Sequence, residues 1–167
     1  LWFAKLGVWQ EEISYKYFLQ YVERLVQALC DKVRFWVTIN EPLVYSYYSY
    51  IIGAWPPQTK SFLKAQKVND NLFFTHIKAY ELIHDIYRKK NLPVNVGIAG
   101  AVQAFKPCSA TLRNRLAVYL RDRKFNFEFV ERLIRHKSID FIGINYYTRS
   151  LVEVEGWSKN SLFLDVC

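Results

Sequence analysis

The chain has 167 residues, with 23 Lys and Arg against 15 Asp and Glu, so its formal net charge is +8. It is 51% apolar and 17% aromatic, which excludes intrinsic disorder. Three Cys are too few for a disulfide scaffold, and no apolar run reaches the roughly 20 residues of a membrane-spanning helix.

The periodicity predicts a helix over 13–29, with Ile13, Tyr17, Tyr21, Leu25 and Ala28 as its apolar stripe. Arg34-Phe35-Trp36-Val37-Thr38-Ile39 is rich in β-branched and aromatic residues and reads as a buried strand. Asn40-Glu41-Pro42 ends it, because Pro cannot continue a central strand but can open a helix. Residues 43–52 read as an aromatic-rich helical or irregular stretch, and Gly53 to Pro57 as a loop. A long helix is predicted from Phe62 or Ala65 to about Lys90, with Leu72, His76, Ala79, Ile83, Ile86 and Tyr87 turned inward. Its basic end, Arg88-Lys89-Lys90, suits the negative pole of the helix dipole. A second strand follows over 94–99. Pro107 and Ser109 open a further helical region, one helix or two, ending near His136. The third strand covers 139–148, and the tail from Arg149 shows no period.

Helices alternating with short, continuously apolar strands predict an α/β fold with a parallel sheet covered by helices. A doubly wound sheet and part of a (β/α)₈ barrel both fit that order. The Gly-rich dinucleotide fingerprint is absent from every strand-to-helix junction, which counts against the first. Most of the positive charge lies between Arg113 and Lys137. No nucleic-acid-binding motif accompanies it, so it is expected to be a solvated helix surface. Cys30, Cys108 and Cys167 have no metal-ligand spacing and are expected to be reduced thiols.

In parallel α/β folds the site lies at the C-terminal ends of the strands. The first strand delivers Asn40 and Glu41, the second nothing ionisable, and the third Asn145, Tyr146 and Tyr147. A carboxyl held among Trp and Tyr is poorly solvated, which favours its protonated form and suits a general acid. Capping of the following helix is the structural alternative for Glu41. Asn145 and Tyr147 are two apart, so on a strand they share a face; a core-packed strand end is the alternative there.

At these positions a resemblance adds to the residues. Phe35-Trp36-Val37-Thr38-Ile39-Asn40-Glu41-Pro42 resembles the Trp-x-Thr-x-Asn-Glu-Pro signature of glycoside hydrolase family 1, the β-glucosidase and β-galactosidase family. Ile139 to Thr148 is similar to that family's sixth-strand motif, in the family's order. Tyr17-Phe18-x-x-Tyr21, Gly53-x-x-x-Pro57 and His76-x-x-Ala79 resemble further family positions. The resemblance implies a partial (β/α)₈ barrel, about strands four to six, with residues 1–167 as a single domain truncated at both ends. The absence of Met and the opening Leu1-Trp2-Phe3 are what an internal piece would show.

The resemblance also implies a retaining β-glycosidase that removes terminal β-linked glucose or galactose from small glycosides or oligosaccharides. Glu41 matches the acid/base and Asn40 the amide on the sugar 2-hydroxyl. Tyr147 matches the tyrosine that hydrogen-bonds the nucleophile, and Asn145 a neighbour lining that pocket. No Glu-Asn-Gly motif of the seventh strand is present, so the nucleophile has no counterpart and the isolated chain is expected to be inactive. Asp140 begins its strand and cannot substitute. The family's usually longer stretch between the second and third of these strands is here the compact basic segment, and its usual His-Asn is Asp70-Asn71. No metal or organic cofactor is expected, no nucleic-acid or membrane partner, and a cytoplasmic location. A non-catalytic sugar-binding module on a degenerate barrel is the alternative, and a polyanion-binding domain a more distant one.

Overall fold

The computed structural model describes residues 8–11 and 13–154. Among these residues five α-helices and three strands follow in the order α1 (Ile13–Leu29), β1 (Phe35–Asn40), α2 (Pro42–Ser46), α3 (Phe62–Lys89), β2 (Asn95–Pro107), α4 (Leu112–Asp122), α5 (Glu128–Arg135) and β3 (Phe141–Val152). A 3-10 turn, Val8–Gln10, precedes α1, and π-helical turns at Tyr47–Ile52 and Arg123–Phe127 extend α2 and α4. The sheet order is β1-β2-β3, with β1 and β2 parallel. This is the α/β architecture expected of consecutive barrel units. The chain divides into two compact units, Leu1–Gly100 with Leu133–Gly143, and Ala101–Arg132 with Ile144–Cys167.

The first unit is built on the contact of α1 with α3. Its core holds Val22, Val26 and Cys30 from the α1 side, Ala79, Ile83, Ile86 and Tyr87 from α3, and Val96 from β2. The inward face of α3 is the expected one. That of α1 is not: Tyr17 and Tyr21 are 37% and 60% exposed, while Ser14, Val22 and Val26 are buried. The helix carries two apolar stripes one residue apart, about 100° around the axis. Tertiary packing selected the stripe of Ser14, Phe18, Val22 and Val26 over that of the tyrosines. The α3 helix ends in a tight turn with Asn91 left-handed (φ 54°), where Leu92 N–H reaches the Tyr87 carbonyl at 3.0 Å.

Alternate side chains of β1 face α3. Trp36 Nε1 donates to the Tyr87 hydroxyl at 2.8 Å, and that hydroxyl donates to the Val33 carbonyl at 2.6 Å. Two residues on, Thr38 Oγ1 lies 2.6 Å from His76 Nδ1. The other nitrogen of this fully buried ring, Nε2, lies 2.6 Å from the Ser138 carbonyl. A carbonyl only accepts, so Nε2 carries the proton and Nδ1 accepts from Thr38. His76 thus joins α3 to β1 and to the segment before β3 as a neutral ring.

Burial holds the His76 pKa below its ordinary 6.5, against the opposing effects of the Ser138 carbonyl and Asp140. The unfolded chain therefore binds a proton that the folded chain excludes. Stability from this site is complete above pH 6.5 and is lost as pH falls below it, at up to about 1.4 kcal/mol per pH unit. Urea midpoints at pH 7.5 and 5.5 should show this loss, and His76→Gln should flatten it. An unchanged slope in the variant would locate the acid sensitivity elsewhere.

Asp140 closes the N-terminal end of β2. Its carboxylate accepts from Val96 N–H (2.7 Å) and the Tyr80 hydroxyl (2.8 Å), and lies 2.8 Å from His84 Nε2. Burial would push Asp140 up, but these hydrogen bonds outweigh it and hold it below its ordinary value; Tyr80 is pushed up to about 12 by burial and by Asp140. This is a structural clasp at the start of β2 and β3.

In the second unit, Asn126 imitates a strand partner. Its side chain accepts from Gln103 N–H (3.1 Å) and donates to the Gln103 carbonyl (2.8 Å). Cys108 is disulfide-bonded and Cys30 is a buried free thiol, so the expectation of three reduced thiols fails at Cys108.

Candidate functional site

The C-terminal end of β1 is shaped by one extra residue. Val37 pairs with Gly97 and Asn40 with Ala99, so three steps on β1 answer two on β2. Such a bulge bends the strand and re-aims the residues beyond it. Glu41 then adopts φ 50°, ψ 57°, the left-handed region that a side chain with a Cβ rarely occupies. Three backbone hydrogen bonds hold it there: its N–H donates to the Ala99 carbonyl at 2.7 Å, and its carbonyl accepts from Val44 N–H (3.1 Å) and Tyr45 N–H (3.2 Å). Pro42, buried at the first position of α2, makes the turn abrupt.

The capping alternative for Glu41 is settled against. Glu41 occupies the N-cap position, but its side chain makes no cap hydrogen bond. A left-handed backbone costs about 1–3 kcal/mol and persists where the surroundings impose it, as they do at Gln58, Asn91 and Lys137 as well as at Glu41. Asn40 is exposed and Glu41 half-buried, so the strand end presents an amide and a carboxyl side by side.

Aromatic residues line the chain directly after Glu41, an enrichment that the strand-end motifs alone do not reveal. Tyr45 meets Tyr50 edge to face at 6.0 Å, and Tyr48 stacks on Trp55 at 4.9 Å and 23°. Burial, and then the neighbouring Tyr50, push the Tyr45 phenol above its ordinary range. Gly53 is left-handed (φ 72°) and ends the π-helical turn, which brings Trp55 back over Tyr48. The sequence carries a signal for this cluster: Tyr45, Tyr47, Tyr48, Tyr50 and Trp55 crowd the eleven residues that begin four places after Glu41, and of these Tyr50 is fully buried while Tyr48 and Trp55 are exposed. Apolar and aromatic walls with few polar groups are the usual lining of small-molecule sites.

Asn145 and Tyr147 lie in the part of β3 that belongs to the second unit. Asn145 is half-buried and Tyr147 is 66% exposed. Adjacent Tyr146 is 60% exposed, so burial alone does not single out the Asn145 and Tyr147 side. Among the described residues no group of three or more His, Cys, Asp or Glu could hold a metal ion, and no helix is long and apolar enough to cross a membrane. Glu153, the other described carboxylate near this strand's end, lies beyond β3. Glu155 lies outside the described residues.

The sequence profile of glycosyl hydrolase family 1 matches residues 2–134. The β-glycosidase from Pyrococcus horikoshii superposes with a TM-score of 0.87 at 33% identity, over 99% of this chain and 40% of that one. The chloroplastic galactolipid galactosyltransferase SFR2 of Arabidopsis thaliana is 30% identical over 168 residues, 90% of this chain and 25% of the relative. The 6-phospho-β-galactosidase of Clostridium acetobutylicum is 27% identical over 192 residues, 93% of this chain and 40% of the relative. The chain thus spans a quarter to two fifths of the length of these relatives.

Proposed function

The chain belongs to glycosyl hydrolase family 1, and from that membership we propose that it carries the acid/base half of a retaining β-glycosidase site. The observation that supports this most directly is the left-handed Glu41, pinned by the Ala99 carbonyl at the C-terminal end of a parallel strand. Glu41 protonates the glycosidic oxygen as the bond to the anomeric carbon breaks. It then takes a proton from the water that attacks the glycosyl-enzyme. Asn40 holds the sugar 2-hydroxyl, a contact that strengthens as positive charge grows on the ring. Tyr147 steadies the nucleophilic carboxylate, and Asn145 lines the pocket as an amide. Tyr48 and Trp55 offer a stacked apolar wall for the leaving group or the next sugar.

The proposed substrates are small glycosides with a terminal β-linked glucose or galactose. The test is the complete gene product with an aryl β-glucoside, its first-formed sugar followed by proton NMR. Release of the β-anomer is the expected result; first release of the α-anomer would overturn the retaining mechanism. The 167-residue chain alone is expected to show no turnover, because a retaining site needs a second carboxylate about 5–5.5 Å from the first. Hydrolysis by the purified chain would place that carboxylate within it.

The galactosyltransferase relative favours a second reading, in which a sugar hydroxyl replaces water in the second step. Glu41 would deprotonate either acceptor. Adding a galactoside acceptor to the same assay separates the two: a disaccharide product formed at the expense of free sugar supports transfer.

A further inference from the structure

The aromatic residues after Glu41 divide into two sets. Tyr48 and Trp55 are 40% and 47% exposed, whereas Tyr50 is fully buried and Tyr45 half-buried. The inner pair leads back to Glu41. Tyr45 N–H donates to the Glu41 carbonyl at 3.2 Å, and the Tyr45 ring meets the Tyr50 ring edge to face at 6.0 Å. A shift of Tyr50 therefore reaches Glu41 through one ring contact and one hydrogen bond.

Tyr50 is itself fixed at both ends. Its carbonyl accepts from Ser61 N–H at 2.7 Å, and the adjacent Ser49 carbonyl accepts from Thr59 N–H at 3.1 Å, which ties the π-helical turn to the chain entering α3. Its hydroxyl accepts from Gln10 Nε2 at 3.3 Å, a bond across forty residues of sequence. Gln10 is anchored in turn. Asn71 Nδ2, on α3, donates to the Trp9 and Gln10 carbonyls at 2.7 and 3.2 Å. The main-chain bonds hold the turn, and the Gln10 bond holds the far end of the ring.

Resting on the acid/base reading of Glu41, we infer that Tyr50 is a positioning residue for that carboxyl, and that Gln10 acts through the Tyr50 hydroxyl. Tyr50 is enclosed and touches no substrate. It keeps Tyr45, and with it the left-handed turn, in place at the end of β1. A close-packed interior transmits such a displacement instead of absorbing it. A general acid must stand within hydrogen-bond reach of the leaving oxygen, and a misplacement of about 1 Å can cost about 10²-fold.

The test is kcat/KM of the complete gene product on two β-glucosides, one losing dinitrophenolate and the other an alkoxide. Dinitrophenolate departs without a proton and an alkoxide does not, so only the second rate depends on where the acid stands. Tyr50→Phe keeps the ring and removes the hydroxyl. It should lower kcat/KM on the alkyl glucoside about five- to tenfold, and on the dinitrophenyl glucoside by less than about twofold. Gln10→Met should show the same pattern. The double variant should be no worse than Tyr50→Phe alone, because both changes remove one interaction. A role in folding alone would lower both rates together. Equal losses on the two substrates, or no loss on either, would overturn the inference; multiplied losses in the double variant would overturn the link from Gln10 to Tyr50. Glu41→Ala measured alongside separates the failures. If it loses rate selectively on the alkyl glucoside while Tyr50→Phe does not, the acid/base reading stands and the positioning role falls. If Glu41→Ala loses equally on both substrates, the reading falls and the positioning role with it.

Discussion

Glu41→Ala in the complete gene product is expected to lower kcat on an aryl β-glucoside by about 10²- to 10⁴-fold, the usual contribution of a positioned general acid/base. With a good leaving group the first step needs little protonation, so the loss should fall mainly on the second, where water must surrender a proton. The glycosyl-enzyme should then accumulate, seen as a burst of phenol and a lowered KM. Azide attacks without giving up a proton, so it should restore turnover and yield a β-glycosyl azide. Asn40→Ala should show no azide rescue, since an amide on the 2-hydroxyl moves no proton. Unchanged turnover in Glu41→Ala, or a loss that azide leaves untouched, would remove Glu41 from the acid/base role.

The second large effect concerns the sheet. A Cβ placed on Gly97 would lie 2.1 Å from the Phe141 carbonyl oxygen. The obstacle is backbone, so no rotamer relieves it, and β2 must part from the start of β3. Asp140, immediately before Phe141, is bonded in both directions to Val96, so that parting would strain the clasp as well. Gly97→Ala is therefore expected to destabilise by about 1–3 kcal/mol, a fall in Tm of about 3–10 °C for a domain of this size. Gly100, three residues on in the same strand, is the control. Its added Cβ would meet nothing nearer than Ile142 Cδ1 at 4.0 Å, so Gly100→Ala should shift Tm by a degree or two at most. Comparable losses in both variants would mean that strand glycine as such, and not the approach of Phe141, sets the effect.

Much of the architecture is legible in the sequence because its signals are local. The α1 bounds follow from apolar spacing, and the inward face of α3 from one uninterrupted stripe. The existence of the strands is legible in the same way, but their lengths are not. The sequence pattern ends β2 at Ala99, whereas the strand runs to Pro107, and β3 continues to Val152. From Ala101 on, both extensions lie in the second unit, where hydrogen bonds between residues far apart in sequence hold them. Asn126 bonds to Gln103 and Cys108 N–H to the Val152 carbonyl. Such pairing leaves no local period to read.

At the candidate site the division is similar. Residue types in order determined which groups could act: a carboxyl and an amide between an apolar strand and a proline, and an amide and a phenol two apart on another strand. The resemblance of the first group to a family signature agrees with the profile match over residues 2–134. Asn145 and Tyr147 fall beyond that match. What only the tertiary structure decided is how Glu41 is presented. The bulge opposite Ala99 and the left-handed backbone both depend on a neighbouring strand that arrives 54 residues later in the chain, counting from Glu41 to Asn95. The same holds for α4: its composition reads as an ordinary basic helix, and which face turns inward was decided by Ser109 and Val154 claiming the Asn114 side chain. Periodicity reports that a helix has an apolar stripe; where that stripe points is a matter of which polar partners the folded chain brings to its other side.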